Sequence, residues 1–281
     1  MSGPDGLALV AKPGGITSHD AIDRVRAALG TRKVGHAGTL DPMATGLLLV
    51  GVGAATRLLR FLGDLEKVYE GTVRLGIETD TLDAEGTVTA EHPVAVTRGD
   101  IEAAAAHLVG RREQAPPAYS AVKVGGTKLY EAARRGEVLE APSRPIVVHA
   151  FAVTDVRGSD VDFETTVSSG TYVRVLAADL GRALGCGAHL ARLVRTRIGP
   201  FRLADACGPE EPHLLPPMAA VAHLPRVELA GDEARAASHG SILAPAGIDG
   251  PYAVVGPGDV LIGIWRDDHA KARPEVVLPV A

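Results

Sequence analysis

Residues 34–50 read Val-Gly-His-Ala-Gly-Thr-Leu-Asp-Pro-Met-Ala-Thr-Gly-Leu-Leu-Leu-Val, a loop that leads into a short apolar run. The run Leu47–Val50 lies between glycines and predicts a buried strand. Two glycines precede Asp41, and Pro42 disfavours helical backbone there, so we expect a fixed irregular loop. Loops held on a rigid scaffold often carry catalytic groups, here a carboxylate and the His36 imidazole. The alternative is that Asp41 only hydrogen-bonds its own turn and His36 is a structural donor.

The segments around this loop do not follow a regular β–α repeat. Strands are predicted at residues 6–10, 47–50 and 69–75, together with a hairpin of 147–156 and 161–167. Helices are predicted at residues 20–29, 54–62, 97–108, 128–135 and 172–184, and a further helix is expected to begin within 188–195. This order favours an α+β fold over a doubly wound sheet. The turn Gly51-Val52-Gly53 is similar to a dinucleotide-binding turn but lacks its third glycine.

The composition predicts a large packed core in a chain of 281 residues, of which 46% are hydrophobic and 22% charged. The net charge of −5 argues against a nucleic-acid partner, but the charges are unevenly distributed. Basic residues outnumber acidic ones in residues 12–60, 111–144 and 170–202, and acidic residues dominate between and after these segments. The three basic segments could form one phosphate-binding face, or they could belong to an ordinary mixed surface.

Two regions are expected to differ from the main body of the chain. Residues 111–145 are basic and interrupted by prolines, and residues 208–217 have the composition of a linker. We therefore predict a catalytic domain at residues 1–216 and a small β-rich module at residues 217–281. No apolar run approaches the ~20 residues of a membrane span, and residues 1–6 lack signal-peptide features. We expect a cytoplasmic protein in which Cys186 and Cys207 are free thiols.

Five segments, in order, carry a resemblance to a known family. The signature loop is Gly35–Pro42 with Ala44-Thr45-Gly46. The other segments are Lys12-Pro13-Gly14, Lys67-Val68-Tyr69, an insertion with Pro116–Lys123, Lys128–Glu131 and Ser143–Ile146, and Ser169–Arg174 continuing through Gly185–His189 to Leu193. Over residues 8–202 the chain resembles the bacterial tRNA pseudouridine-55 synthases of the TruB type.

The resemblance implies a fold and an activity. The fold would be a mixed, mostly antiparallel sheet flanked by helices, with a small C-terminal module that resembles a PUA-like domain only weakly. The activity would be isomerisation of a uridine in the T-loop of tRNA, after the base is flipped out of its stack. The implied partner is the T-arm of tRNA, gripped by the insertion at residues 111–145. No cofactor and no metal are expected, and we expect a monomer.

The resemblance also implies roles for seven side chains. Asp41 would be the nucleophile, attacking either ribose C1′ or uracil C6. Arg174 would pair with it, and such a pairing lowers the pKa of the aspartate. Tyr69 would stack on the base and assist at C5. Substrate contacts would come from Lys12, His36, Tyr172 and Leu193.

Competing interpretations remain open from the sequence. The chain could be an RNA-binding module without catalysis, an NAD(P)-dependent oxidoreductase, or an enzyme guided by a separate RNA. Four acidic residues could also bind a cation, although a solvated acidic hairpin is the simpler interpretation. These are Glu78, Asp80, Asp83 and Glu85.

Overall fold

The protein is built mainly from strands. The computed structural model describes residues 4–120, 122–137, 139 and 141–279. In the described residues, the strands are β1 (Gly6–Lys12), β2 (Val34–Ala37), β3 (Thr45–Val52), β4 (Lys67–Leu75), β5 (Ile77–Thr79), β6 (Val88–Glu91), β7 (Gly110–Gln114), β8 (Lys123–Val124), β9 (Thr127–Lys128), β10 (Arg144–Arg157), β11 (Asp160–Val167), β12 (Ala188–Ile198), β13 (Phe201–Arg202), β14 (Leu214–Leu215), β15 (Arg226–Glu228), β16 (Pro251–Gly256), β17 (Val260–Asp268) and β18 (Lys271–Val277).

Helices connect these strands. In the same residues the α-helices are α1 (Ser18–Leu29), α2 (Arg98–Ala106), α3 (Leu129–Arg134), α4 (Val173–Ala183) and α5 (Gly231–Ser238), with 3₁₀ helices at Gly53–Leu62, Leu203–Asp205 and Pro217–Val221. Helix α1 begins at a capping box in which Thr17 and Asp20 satisfy each other's backbone N–H groups, and it ends at Gly30 in the left-handed conformation. None of the helices in the described residues has the length and apolar character to cross a membrane.

A large mixed sheet forms the centre of the described structure. Its order is β14-β1-β3-β12-β4-β11-β10-β7, with β2 paired to β3 and β13 to β12. Most pairs are antiparallel, whereas β3 and β12 run parallel where Val194 and Arg195 lie opposite Thr45 and Gly46. The strands β15-β16-β17-β18 form a second, smaller sheet. The predicted α+β fold class is confirmed.

The predicted buried strand lies in the middle of the sheet and is covered on both faces. Leu48 and Val50 pack with helix α1, whereas Leu47 and Leu49 pack in a cluster that includes the C-terminal sheet. A strand covered on both faces is apolar at successive positions rather than at alternate ones. Because β3 is so firmly enclosed, the loop before it is anchored at its C-terminal end.

The prediction of a helix within residues 188–195 is wrong, because these residues belong to strand β12. Leu190 and Leu193 are three positions apart, as on one face of a helix. A register shift between Leu190 and Arg192 adds one residue to the strand, so both leucines join the same core cluster. The bulge therefore imitates helical spacing.

The linker interpretation of residues 208–217 is also wrong in part. Leu214 and Leu215 form β14, which pairs with Ala8 and Leu7 of β1. Cys207 bonds the main chain of Leu9 and Ala11 just before it. The segment thus covers an outer edge of the sheet, a position in which its prolines need no ladder partner.

Most of the other predicted elements are found at their predicted positions, but Val34–Ala37, expected in the irregular loop before Asp41, form strand β2 and carry His36. The hairpin of β10 and β11, the strand β4 and helices α1, α2, α3 and α4 are found where the sequence predicts them. Residues 54–62 form a helix of the 3₁₀ type. In the insertion, Ala121, Val138 and Glu140 lie outside the described residues. The strand before Gly51-Val52-Gly53 has antiparallel partners in β1 and β2, so the dinucleotide-binding interpretation lacks its parallel β–α–β unit.

Candidate active site

The loop that carries Asp41 is fixed by three side chains from different elements. Ser18 of helix α1 accepts a hydrogen bond from the Leu40 N–H at 2.9 Å. The ammonium of Lys12 donates to the Pro42 carbonyl at 3.2 Å. Arg195 of β12 donates to the Gly38 carbonyl at 2.9 Å. The main chain on both sides of Asp41 is therefore held, which limits the positions its carboxylate can adopt.

Arg174, near the start of α4, faces Asp41. Its Nε atom lies 3.4 Å from Oδ2 of Asp41, an ion-pair distance that is long for a hydrogen bond. The arginine side chain is only 4% exposed, whereas that of Asp41 is 34% exposed. The structure thus brings the two predicted partners together, with the carboxylate on the accessible side.

A second carboxylate shares the same guanidinium. Oδ2 of Asp83, a buried residue between β5 and β6, lies 3.5 Å from Nη1 of Arg174. Its Oδ1 accepts hydrogen bonds from the Thr81 hydroxyl and the Glu85 N–H. The loop containing Asp83 reaches this position because its main chain bonds Leu190 of β12. The interpretation of this segment as a solvated acidic hairpin is therefore wrong for Asp83.

These charges act on Asp41 in opposite directions. Burial raises the pKa of Asp41, Arg174 lowers it, Asp83 raises it and Lys12 lowers it. Burial is the largest effect, so the net pKa lies above the usual value for aspartate. The contact with Arg174 lowers the pKa of Asp41, as expected. The net pKa is nevertheless raised, because burial outweighs that contact.

Tyr69 and Leu193 line the adjoining part of the sheet. Both are buried on neighbouring strands, β4 and β12, and they share a core cluster with Leu40 and Ala44 of the Asp41 loop. The Arg195 guanidinium carbon lies 6.0 Å from the centre of the Tyr69 ring. One buried arginine therefore contacts both the loop and this aromatic residue.

Tyr172 immediately precedes α4 and lies between two arginines. Its ring centre is 5.0 Å from the guanidinium carbon of Arg144 and 5.7 Å from that of Arg174. The ring is only partly buried. An aromatic face flanked by cations is suited to stacking on a planar base near a phosphate.

His36 and Lys12 complete the predicted set. His36 is half-buried in β2, its Nδ1 has no hydrogen-bond partner within the described residues, and burial lowers its pKa. Lys12 is almost fully buried and also donates to the Pro13 and Ile16 carbonyls. Burial lowers the pKa of Lys12 to about 8. Its ammonium thus joins the turn after β1 to the Asp41 loop.

Some residues of this site escaped the sequence-based prediction. Ser18 and Arg195 bond the main chain of the Asp41 loop, and Asp83 contacts Arg174. None of the three belongs to a motif that the local sequence identifies. Asp83 lies in an acidic run of the sequence, but this run does not indicate that its side chain is buried. In the described residues, no group of three or more His, Cys, Asp or Glu is arranged to hold a metal ion.

Family models match most of the chain. Residues 26–173 match the N-terminal domain of the TruB family of pseudouridylate synthases. Residues 174–211 match the tRNA pseudouridylate synthase B C-terminal domain, and residues 224–279 match tRNA pseudouridine synthase II, C terminal. The boundary between the first two matches lies between Val173 and Arg174.

Similar proteins agree with these matches. The chain is 46% identical to a tRNA pseudouridine synthase B of Mycolicibacterium paratuberculosis, over 98% of each chain. It is 44% identical to one from Thermobifida fusca, over 97% of this chain and 98% of that protein.

Solved structures share the fold. A chain of an H/ACA RNP bound to a substrate RNA containing 2′-deoxyuridine has a TM-score of 0.74 at 24% identity, covering 98% of this chain and 85% of that chain. A chain of a Cbf5-Nop10-Gar1 complex has a TM-score of 0.73 at 26% identity, covering 98% of this chain and 84% of that one. Because both alignments cover 98% of this chain, the shared fold includes the mixed sheet and the small C-terminal sheet.

Proposed function

This chain belongs to the TruB family of pseudouridylate synthases and isomerises uridine to pseudouridine in tRNA, and we propose that its target is uridine 55 of the T-loop, attacked by Asp41. The observation that carries the site assignment is the pairing of Asp41 with Arg174 inside the motif that resembles the family's signature loop. The interpretation as a binding module without catalysis is disfavoured, since Asp41, Tyr69 and Arg174 are all in place.

The reaction rearranges bonds within one nucleotide. The bond between ribose C1′ and uracil N1 breaks, and a bond between C1′ and C5 forms. N1 gains a proton and C5 loses one, so the balance requires no oxidant or reductant. A carboxylate can serve as nucleophile in such a two-stage rearrangement, at C1′ or at C6, and both routes remain consistent with this site.

Asp41 must be ionised to act as a nucleophile. Arg174 favours that state, whereas burial and Asp83 oppose it. A carboxylate that is only partly stabilised by its surroundings is a stronger nucleophile than one held by many donors, because less solvation is lost on attack. The surroundings of Asp41 thus stabilise its negative charge only in part, which keeps the carboxylate reactive.

The base must leave the T-loop stack to reach Asp41, at a cost of a few kcal/mol. We propose that Tyr69 stacks on the uracil and that Leu193 and Tyr172 line its pocket. His36 would contact the RNA that surrounds the flipped nucleotide. Lys12 belongs to the site through its contact with Pro42, and any contact of its own with substrate would require the loop to move.

The proposal also gives roles to the insertion and to the C-terminal module. The basic insertion at residues 111–145 grips the T-arm, and residues 217–281 form a C-terminal module on a catalytic domain of residues 1–216. The substrate indicates a cytoplasmic enzyme. We propose that it acts as a monomer.

Release of the C5 hydrogen tests the assignment. With tRNA carrying tritium at uracil C5, the wild type should release tritium from uridine 55, and Asp41→Asn should be slower by about 10³-fold or more with tRNA affinity nearly unchanged. Asp232→Asn, at a fully exposed carboxylate, is the matched control and should behave as the wild type. Undiminished release by Asp41→Asn, or release that persists when uridine 55 is replaced by cytidine, would contradict the proposal.

A further inference from the structure

The insertion at residues 111–145 begins and ends in two paired strands of the central sheet, β7 and β10. Gln114 is the last residue of β7, Arg144 is the first of β10, and the two lie opposite each other in the sheet. Residues between them form the small hairpin of β8 and β9 and helix α3. The Gln114–Arg144 pair is therefore the point at which the insertion leaves the sheet.

Gln114 is buried and bonds both polar groups of one peptide residue. Its Oε1 accepts a hydrogen bond from the Tyr172 N–H at 2.8 Å, and its Nε2 donates to the Tyr172 carbonyl at 3.2 Å. Only 4% of the residue is exposed. A primary amide has an acceptor and a donor on adjacent atoms, so it matches this main-chain pair as another strand would.

Tyr172 is the residue from which α4 begins. It is the N-cap of the helix, with extended backbone angles, and its own side chain makes no capping hydrogen bond. Its carbonyl also accepts from the N–H groups of Val175 and Leu176. The side chain of Gln114 thus fixes the residue that sets the direction of the first helical turn.

Arg174 lies in that first turn. Its guanidinium faces Asp41, and Nη2 donates to the carbonyl of Tyr119, a residue of the insertion, at 2.6 Å. The insertion therefore contacts the arginine directly at Tyr119 and indirectly through Gln114 and Tyr172.

We propose that Gln114 is a positioning residue that fixes Tyr172 and the start of α4, so that Arg174 faces Asp41 correctly only when the base of the insertion is in place. This inference rests on the proposed function. Gln114 itself is too deeply buried to touch the RNA. Its effect would be on the rate of isomerisation, because displacement of a catalytic group by about 1 Å can cost up to about 100-fold in rate.

Gln114→Met removes both hydrogen bonds and keeps the length of the side chain. We expect single-turnover tritium release at saturating tRNA to fall about 10- to 100-fold, with tRNA affinity within about twofold of the wild type. Tyr252→Phe is the matched control, because it removes a buried hydrogen bond to Asp267 in the C-terminal sheet. It should lower the melting temperature without changing the rate.

A double-mutant cycle separates positioning from a general loss of structure. If Gln114 acts through Arg174, Gln114→Met should slow release much less in an Arg174→Lys background than in the wild type. Equal slowing in both backgrounds, an unchanged rate in the single variant, or a loss confined to tRNA affinity would each overturn the proposal.

If Gln114→Met does not fold, Gln114→Glu tests the proposal instead, because its carboxylate still accepts the hydrogen bond from the Tyr172 N–H. A slower rate of tritium release at unchanged tRNA affinity supports the positioning role of Gln114. A wild-type rate overturns it. If the wild type itself releases no tritium from tRNA, the proposed function fails. If the wild type is active and Gln114→Met is equally fast, only the role of Gln114 fails.

Discussion

Nη1 of Arg174 lies 3.5 Å from Oδ2 of Asp83, so the arginine that faces the candidate nucleophile also holds a second, buried carboxylate. The Arg174 guanidinium thus contacts two carboxylates, one of them buried and one partly exposed. Such an arrangement restrains the arginine from two sides, and it leaves Asp41 only partly neutralised.

Asp83→Asn should shift the pH dependence of the reaction. Since burial raises the pKa of Asp41, the wild-type rate should fall as the pH drops through a value above that of ordinary aspartate. Asp83 contributes to that increase, so its removal lowers the Asp41 pKa and moves the acid limb to lower pH. The maximum rate should also fall, because Arg174 loses one restraint. Single-turnover rates across pH measure both effects, with Asp80→Asn in the same hairpin as the control. A shift toward higher pH would contradict this account.

At alkaline pH, the free energy of unfolding of the wild type should increase more with rising pH than that of Lys67→Met. The Lys67 ammonium is buried against the Gly63 and Leu65 carbonyls, and burial lowers its pKa to about 8 from 10.5. The unfolded chain therefore binds more protons between these pH values, and this contribution to stability increases as the pH rises from about 8 to about 10.5. The wild type should gain roughly 1–3 kcal/mol over that interval relative to Lys67→Met. Urea unfolding at pH 7.5 and at pH 10 measures the difference, and parallel curves would refute it.

Arg195→Met should slow the reaction more than it weakens tRNA binding. The residue donates to the Gly38 and Leu47 carbonyls at the two ends of the Asp41 loop and lies against Tyr69. Losing these bonds leaves buried carbonyls without a donor, and the loop should relax by a fraction of an ångström. We expect a rate about 10- to 100-fold lower at saturating tRNA. Arg192→Met, on the exposed side of the same strand, is the control, and equal effects of the two substitutions would argue against the role of the loop.

Ile264→Ala should destabilise the whole protein rather than the C-terminal sheet alone. Ile264 is fully buried in a cluster that also contains Leu7, Leu58 and Leu62 from the main body of the chain. Truncating such a side chain costs roughly 2–5 kcal/mol. Thermal unfolding should stay a single transition that moves to lower temperature, whereas Val260→Ala, at an exposed position, should change little. A separate early transition would instead mean that residues 217–281 unfold independently.

Local sequence predicts the parts of this protein that local physics determines. The loop around Asp41, the strand after it and the capped helix α1 follow from glycine, proline and apolar patterns within a few residues. The pairing of Asp41 with Arg174 was expected only by resemblance, because the two residues are brought together by α4 packing on the sheet. The start of strand β12 has helical spacing because of a β-bulge, and no pattern in the local sequence identifies that bulge. Asp83 and Gln114 gain their roles from burial by distant segments, and no pattern near them predicts it.

The contacts that surround Asp41 join positions far apart in the chain: 133 residues separate it from Arg174, and 157 separate Gly38 from Arg195. During synthesis on the ribosome, Asp41 therefore leaves the exit tunnel long before Arg174 and Arg195. A nascent chain that has not yet reached α4 lacks both arginines, so of the side chains that hold the Asp41 loop only Lys12 and Ser18 are present. The set of contacts around Asp41 is therefore completed only after β12 has left the ribosome.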